Sequence, residues 1–128
     1  MFEIEINGTV YNFKFGLGFA RAINKTKQMT AENGEKVDAG LNYAVASLMD
    51  GNLIELVDIL ITANKTETVK VTREILESYL EDNGTDVDDL FTRLLDFFEN
   101  NNSTNKAVET IRKMIAIQEA KVKAEKGE

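Results

Sequence analysis

Asp82, Asp86, Asp88 and Asp89 crowd around an Asn83-Gly84 dipeptide, the densest group of side chains in this 128-residue chain whose type and spacing invite a chemical reading. Carboxylates gathered at a turn could hold calcium, but an EF-hand loop needs oxygen ligands at alternating positions, a central glycine and a glutamate in twelfth place. Counted from Asp82, the third position is Gly84, the fifth is Asp86 and the twelfth is Arg93, so the pattern fails. The same acids suit the first turn of a helix, where exposed N–H groups favour negative charge. Gly16-Leu17-Gly18 is the second candidate. It lacks the third glycine of a dinucleotide fingerprint and the Gly-Lys-Ser/Thr ending of a phosphate-binding loop, and reads as a strand exit. Asp, Glu, Lys and Tyr are all present, but nothing in their spacing marks an activated acid–base pair. The chain has no His and no Cys, which removes the commonest general base, the thiol nucleophile and the soft metal ligands. These residues point to a binding surface and away from an active site, with no catalytic, metal or cofactor-binding residue assigned.

Charge narrows the partners. The net charge is −7, whereas a phosphate backbone calls for a basic footprint, so nucleic acid is not the expected ligand. Val71–Asn100 holds two basic and nine acidic residues, and Ser103–Glu128 holds six basic and four acidic. An acidic middle and a basic tail can attract one another between copies or meet an oppositely charged partner. No apolar run approaches the roughly 20 residues of a membrane span, and the opening MFEIEING carries acids where a secretory leader has bases. An intracellular protein that does not engage a membrane is expected.

The elements that position these residues follow from periodicity. Phe2, Ile4 and Ile6 alternate with Glu3 and Glu5, then Asn7-Gly8 supplies the two positive-φ positions of a type I′ turn. That turn pairs Ile6 with Thr9, Ile4 with Tyr11 and Phe2 with Phe13, placing them and Phe15 on one apolar face. A lone hairpin is marginal and needs covering. Phe19–Lys27 reads as a short helix with Phe19, Ala22 and Ile23 inward, and the polar residues 28–36 read as an exposed loop.

From Asp38 the period turns helical. Leu41, Ala44, Val45, Leu48 and Met49 form one stripe, ended by Asp50-Gly51. Asn52 caps the next helix with Glu55 three residues on, and Leu53, Leu56, Val57, Leu60 and Ile61 are its stripe. Asn64–Lys70 reads as a polar connection. Thr72 caps a third helix, with Ile75, Leu76, Tyr79 and Leu80 inward, and Thr85 starts a fourth whose broad stripe includes Leu90, Leu94 and Phe98. After the break at 100–105, Ser103 or Thr104 caps a last helix running to Ala124. Ala107, Val108, Ile111, Ile115 and Gln118 or Val122 face inward on it, and its end, KVKAEKGE, is expected to fray. The expected fold is α+β and mostly helical, an N-terminal β-hairpin packed on five or six helices. It forms a single domain over 1–128, divided into hairpin and short helix (1–27), helical core (38–100) and C-terminal helix (103–128).

Large apolar groups exceed what these stripes use. Phe97 beside Phe98 cannot share one core line, and Met114 and Ile117 flank the last helix. Such surplus marks either an interface or a last helix wrapped on several sides by its own domain; on the first reading Phe97, Phe98, Met114 and Ile117 are the candidate partner contacts. Phe97→Asp is expected to leave the fold intact and abolish partner binding.

The stretch FEIEINGTVYNFKFGLGFARAIN resembles the opening of the tail assembly chaperones of long-tailed phages of Gram-positive bacteria, with a strand, an Asn-Gly turn, a second strand ending in an aromatic, and a helix. LNYAVASLMDGNLIELVDILITAN is similar to the family's middle, and the acidic helix LFTRLLDFFEN follows as it does there. The resemblance covers most of residues 1–100 as pattern, and the tail beyond Ser103 matches only as a helix of mixed charge. It implies a non-enzymatic, cofactor-free chaperone that binds the tape-measure protein and keeps it soluble in the host cytoplasm until the tail tube assembles around it, absent from the mature virion. It further implies self-association into homo-oligomers and, through a longer frameshifted form, contact with the tail-tube protein. The alternative is a small helical adaptor that binds one folded partner one to one.

Overall fold

The computed structural model describes residues 1–125. It is an α+β fold, mostly helical, as the periodicity predicts. Strands β1 (Phe2–Ile6) and β2 (Thr9–Phe13) pair antiparallel in the expected register, with Phe2 opposite Phe13 and Ile4 opposite Tyr11. Asn7 has φ +51° and Gly8 φ +81°, the conformation for which Asn-Gly is selected. Phe2, Ile4, Ile6, Tyr11, Phe13 and Phe15 are all buried.

Helix α1 (Leu17–Asn24) begins two residues before Phe19, because the Gly16 carbonyl already accepts from Ala20 N–H at 3.0 Å. Phe19 and Ile23 face inward; Ala22, expected beside them, is exposed. Residues 28–36, read from their polarity as a loop, instead form most of a second hairpin. Its strands are β3 (Gln28–Thr30) and β4 (Lys36–Asp38), turning at Gly34 with φ +86°. Every strand residue there is exposed, so no alternation of burial betrays the pairing in sequence.

Helices α2 (Gly40–Asp50), α3 (Leu53–Asn64), α4 (Arg73–Glu81), α5 (Val87–Glu99) and α6 (Asn105–Glu125) follow. Gly51 ends α2 in the left-handed conformation, and Asn52 caps α3 by accepting from Glu55 N–H at 3.2 Å. The reciprocal half of a capping box is not made: Asn52 N–H donates to Ser47 O, and the Glu55 carboxylate lies 3.8 Å from Lys27 Nζ. Thr72 caps α4 as predicted, accepting from Ile75 N–H at 3.1 Å. The cap of α5 is Asp86 and not Thr85, whose hydroxyl donates to Tyr79 O at 2.7 Å.

Helix α3 lies at the centre, with Leu56, Ile59 and Leu60 wholly buried and contacts to α1, α2, α4 and β2. Two buried polar side chains join its surroundings. Asn64, read as the start of a polar connection, is 2 % exposed. Its Nδ2 donates to Asn12 O at 2.9 Å and Val69 O at 3.1 Å, and its Oδ1 accepts from Val71 N–H at 2.8 Å. Thr104, 1 % exposed, donates to Phe98 O at 2.8 Å, which ties the start of α6 to the end of α5. Nearby, Asn101 Nδ2 reaches Phe15 O at 2.7 Å.

Helix α6 departs from expectation along half its length. Ala107, Val108 and Ile111 are buried against α2 and α5. Ile115, Gln118 and Val122 were expected to continue that stripe, yet all are exposed. From Arg112 to Glu125 every residue is exposed, a projecting segment of about 20 Å at 1.5 Å per residue. The last residues of KVKAEKGE, 126–128, where fraying was expected, lie outside the described residues. Among the described residues no helix is long and apolar enough to cross a membrane.

Candidate partner-binding surface

The residues that invited a chemical reading have structural work. Asp82 Oδ1 accepts from Gly84 N–H at 2.8 Å, shaping the turn, and Asp86 Oδ1 accepts from Asp89 N–H at 2.9 Å, capping α5. Asp89 also lies 3.6 Å from Arg93 one turn along. Gly16 is the entry of α1, with Leu17 exposed beside it.

The four proposed contacts divide into two pairs. Phe98 is 0 % exposed, 4.9 Å centroid to centroid from Phe15 and 6.1 Å from Phe19. It has no surface to offer and belongs to the core. Phe97, about 100° further round α5, is half-buried, its ring 5.8 Å from both Phe2 and Phe15. Arg93 lies over the other partner in this cluster, 5.4 Å from the Phe2 ring centre. Phe97→Asp would set a carboxylate against two aromatic rings, so the expectation that it leaves the fold intact is revised. These rings pack edge-on and hold α5 to the hairpin.

Met114 and Ile117 are each 58 % exposed, on the projecting half of α6. Exposed Ile115 and Val122 join them. At 100° per residue, Ile117, Met114, Val122 and Ile115 fall within one broad arc, with Gln118 in its middle. Lys113 and Lys121 stand one turn to either side of Ile117. Ile115 and Val122 continue the face that Val108 and Ile111 bury further back, whereas Ile117 lies about 180° round the helix from Val108, so the bare arc spreads from a core-type line towards the opposite side of α6.

Sequence reasoning missed a second apolar surface. Leu53, Ile54, Val57 and Leu80 line a groove of about 210 Å³ between α3 and α4, with Glu77 and Glu81 on its rim. Ile54 is 79 % exposed, the most exposed large apolar side chain of the molecule's described residues. Periodicity offered no clean signal: Ile54 lies about 20° round the helix from Ile61 of the α3 stripe, and Ile59, which also falls outside that stripe, is wholly buried. Arg73 holds the two walls together, its Nη2 donating to Asp58 Oδ1 at 2.8 Å.

Residues 3–113 match the family model described as phage tail assembly chaperone protein, TAC. No curated protein and no solved structure matches the chain.

Proposed function

We propose, from the premise that the chain belongs to the phage tail assembly chaperone family, that its client is the tape-measure protein. Family membership gives a chaperone role in tail assembly. In this reading the protein holds amphipathic helices of the client and keeps them soluble until the tail tube closes around them, in the cytoplasm of the infected cell and not in the finished virion. The phages concerned are the long-tailed phages of Gram-positive bacteria, and the action is one of binding without catalysis.

The observation that carries the reading is the bare half of α6. A helix that displays Met114, Ile115, Ile117 and Val122 to solvent leaves its apolar arc unsatisfied, and exposed apolar surface of that kind marks an interaction site. An amphipathic client helix, with anchors at i, i+3, i+4 and i+7, docks on such a stripe. Met adapts its shape to varied neighbours, which suits a protein that must accept many segments of one long chain. Contact is therefore assigned to Met114 and Ile117, with Phe97 and Phe98 supporting the fold that carries them.

Co-expression with the tape-measure protein, followed by fractionation and mass measurement of the soluble complex, tests this. A tape-measure chain that is insoluble alone and soluble with several bound copies is expected. Persistent insolubility, or a soluble client with no chaperone bound, overturns the assignment.

A further inference from the structure

The same chain carries an unpartnered apolar helix flanked by lysines and an unpartnered apolar groove rimmed by glutamates. On α6, Ile117 stands between Lys113 and Lys121; on the α3/α4 groove, Ile54 and Leu80 stand beside Glu77 and Glu81. Among the described residues none of these four charged groups is in an ion pair, whereas Arg73 at the groove and Arg112 on α6 already have partners in Asp58 and Glu99. The charges are opposite, and both apolar centres are wet. One molecule does not join them by itself: α6 is a single unbroken helix, anchored by Ala107, Val108 and Ile111, and beyond that anchor its residues are exposed.

We propose that the projecting half of α6 in one copy seats in the α3/α4 groove of the next, with Ile117 against Ile54 and Leu80 and with Lys113 and Lys121 facing Glu77 and Glu81. The inference rests on reading α6 as the client-binding stripe and adds a regulation of it. Because Ile117 cannot contact a neighbour's groove and a client helix together, docking between copies covers the stripe while no client is present, and a client helix displaces it. The contact joins two different surfaces, so an open array always keeps one free groove at one end and one free helix at the other, and it extends or closes into a ring. A contact of α6 with α6 would instead stop at a dimer.

The test uses the full chain and two exposed positions. Ile54→Asp spoils the groove and Ile117→Asp the helix, each setting a carboxylate against apolar surface in the docked state, and each is expected to weaken association by about tenfold or more. In light scattering after size exclusion, the unaltered chain should run above monomer mass and each variant as a monomer with unchanged helical circular dichroism. Mixed together, the two variants should form a one-to-one heterodimer and go no further, because Ile54→Asp retains its helix and Ile117→Asp its groove. The double charge reversal Glu77→Lys with Glu81→Lys should also release monomers, and adding Lys113→Glu with Lys121→Glu should restore assembly.

Ile54→Asp should solubilise the tape-measure protein at least as well as the unaltered chain, since its stripe is never covered. A chain that stays monomeric at all concentrations, an Ile54→Asp variant that assembles normally, or a variant mixture that stays monomeric overturns the inference. If the chain alone is monomeric yet solubilises the client, the docking fails and the function stands. If assembly and complementation occur while the client stays insoluble, the client assignment fails and the docking stands.

Discussion

At the scale of single residues, the fold depends on a few positions whose neighbours leave no choice. Gly40 opens α2 where α1 passes it: a Cβ there would lie 1.9 Å from Ile23 O and 2.8 Å from Thr26 Oγ1. In an open helix, Gly→Ala gains about 1 kcal/mol. Here the sign should reverse, and Gly40→Ala should lose about 3 kcal/mol because backbone must move. Urea unfolding reads the difference, and a stabilised Gly40→Ala protein would show that α1 and α2 are not in contact at this point. Asn64 is the second such position. Its three hydrogen bonds join β2, the end of α3 and the approach to α4, and removing them leaves the Val71 N–H without that acceptor. At about 1 kcal/mol for each bond, with the added cost of an unsatisfied buried donor, Asn64→Ala should cost about 3 kcal/mol. A loss under about 1 kcal/mol would mean that water replaces the side chain there. An asparagine in a run of polar residues gives no sign in sequence that it is 2 % exposed, because its partners are backbone groups as far off as Asn12.

At the scale of elements, what was legible is what repeats locally. The first hairpin announced itself through alternation and Asn7-Gly8, and α2 to α5 through stripes with caps at Asn52 and Thr72. The second hairpin was not legible because its strands are three residues each and wholly exposed, Met29 and Val37 included; Asn33-Gly34 does stand between them, but in a longer connection in which only Gly34 takes a positive φ. The outer half of α6 misled for the opposite reason: Ile115 and Val122 keep core periodicity with no core beside them. Periodicity reports which face wants covering and is silent on whether the same molecule covers it. Of the candidate contacts, Met114 and Ile117 lie exposed where a flank position places them, whereas Phe98 took the core line that its own stripe predicted. This separates stability from binding along one helix. The double variant Met114→Ser with Ile117→Ser touches nothing buried and should shift unfolding free energy by no more than about 0.5 kcal/mol while losing client solubilisation. Ile111→Ser, two turns or less away but 7 % exposed, should unfold the protein more easily by about 3 kcal/mol. Comparing urea midpoints and soluble client for the two variants checks both halves, and equal destabilisation would place the outer half of α6 against the body.

At the scale of the whole molecule, a body built around α3 carries a helix that reaches about 20 Å beyond it, and under the proposed function this division decides what kind of partner is served. A groove inside a body selects one shape. A stripe on a projecting helix meets its partner on one side only, so it reads apolar periodicity and little else, and the net charge of −7 keeps a protein with such a surface apart from its copies except where opposite charges face. The discriminating quantity is thus tolerance. Peptides cut from different parts of a tape-measure chain, alike in helical apolar period and different in sequence, should bind with dissociation constants within about tenfold of one another, or about 1.4 kcal/mol. Peptides of the same composition with the period scrambled should not bind. An adaptor for one folded partner would do the reverse, holding at most one peptide and discarding the rest, because its affinity would rest on a few fully enclosed side chains. Titration calorimetry on a set of such peptides separates the two. A broad, period-dependent response also requires that copies bound grow in proportion to client length, so a tape-measure chain shortened by half should carry half as many.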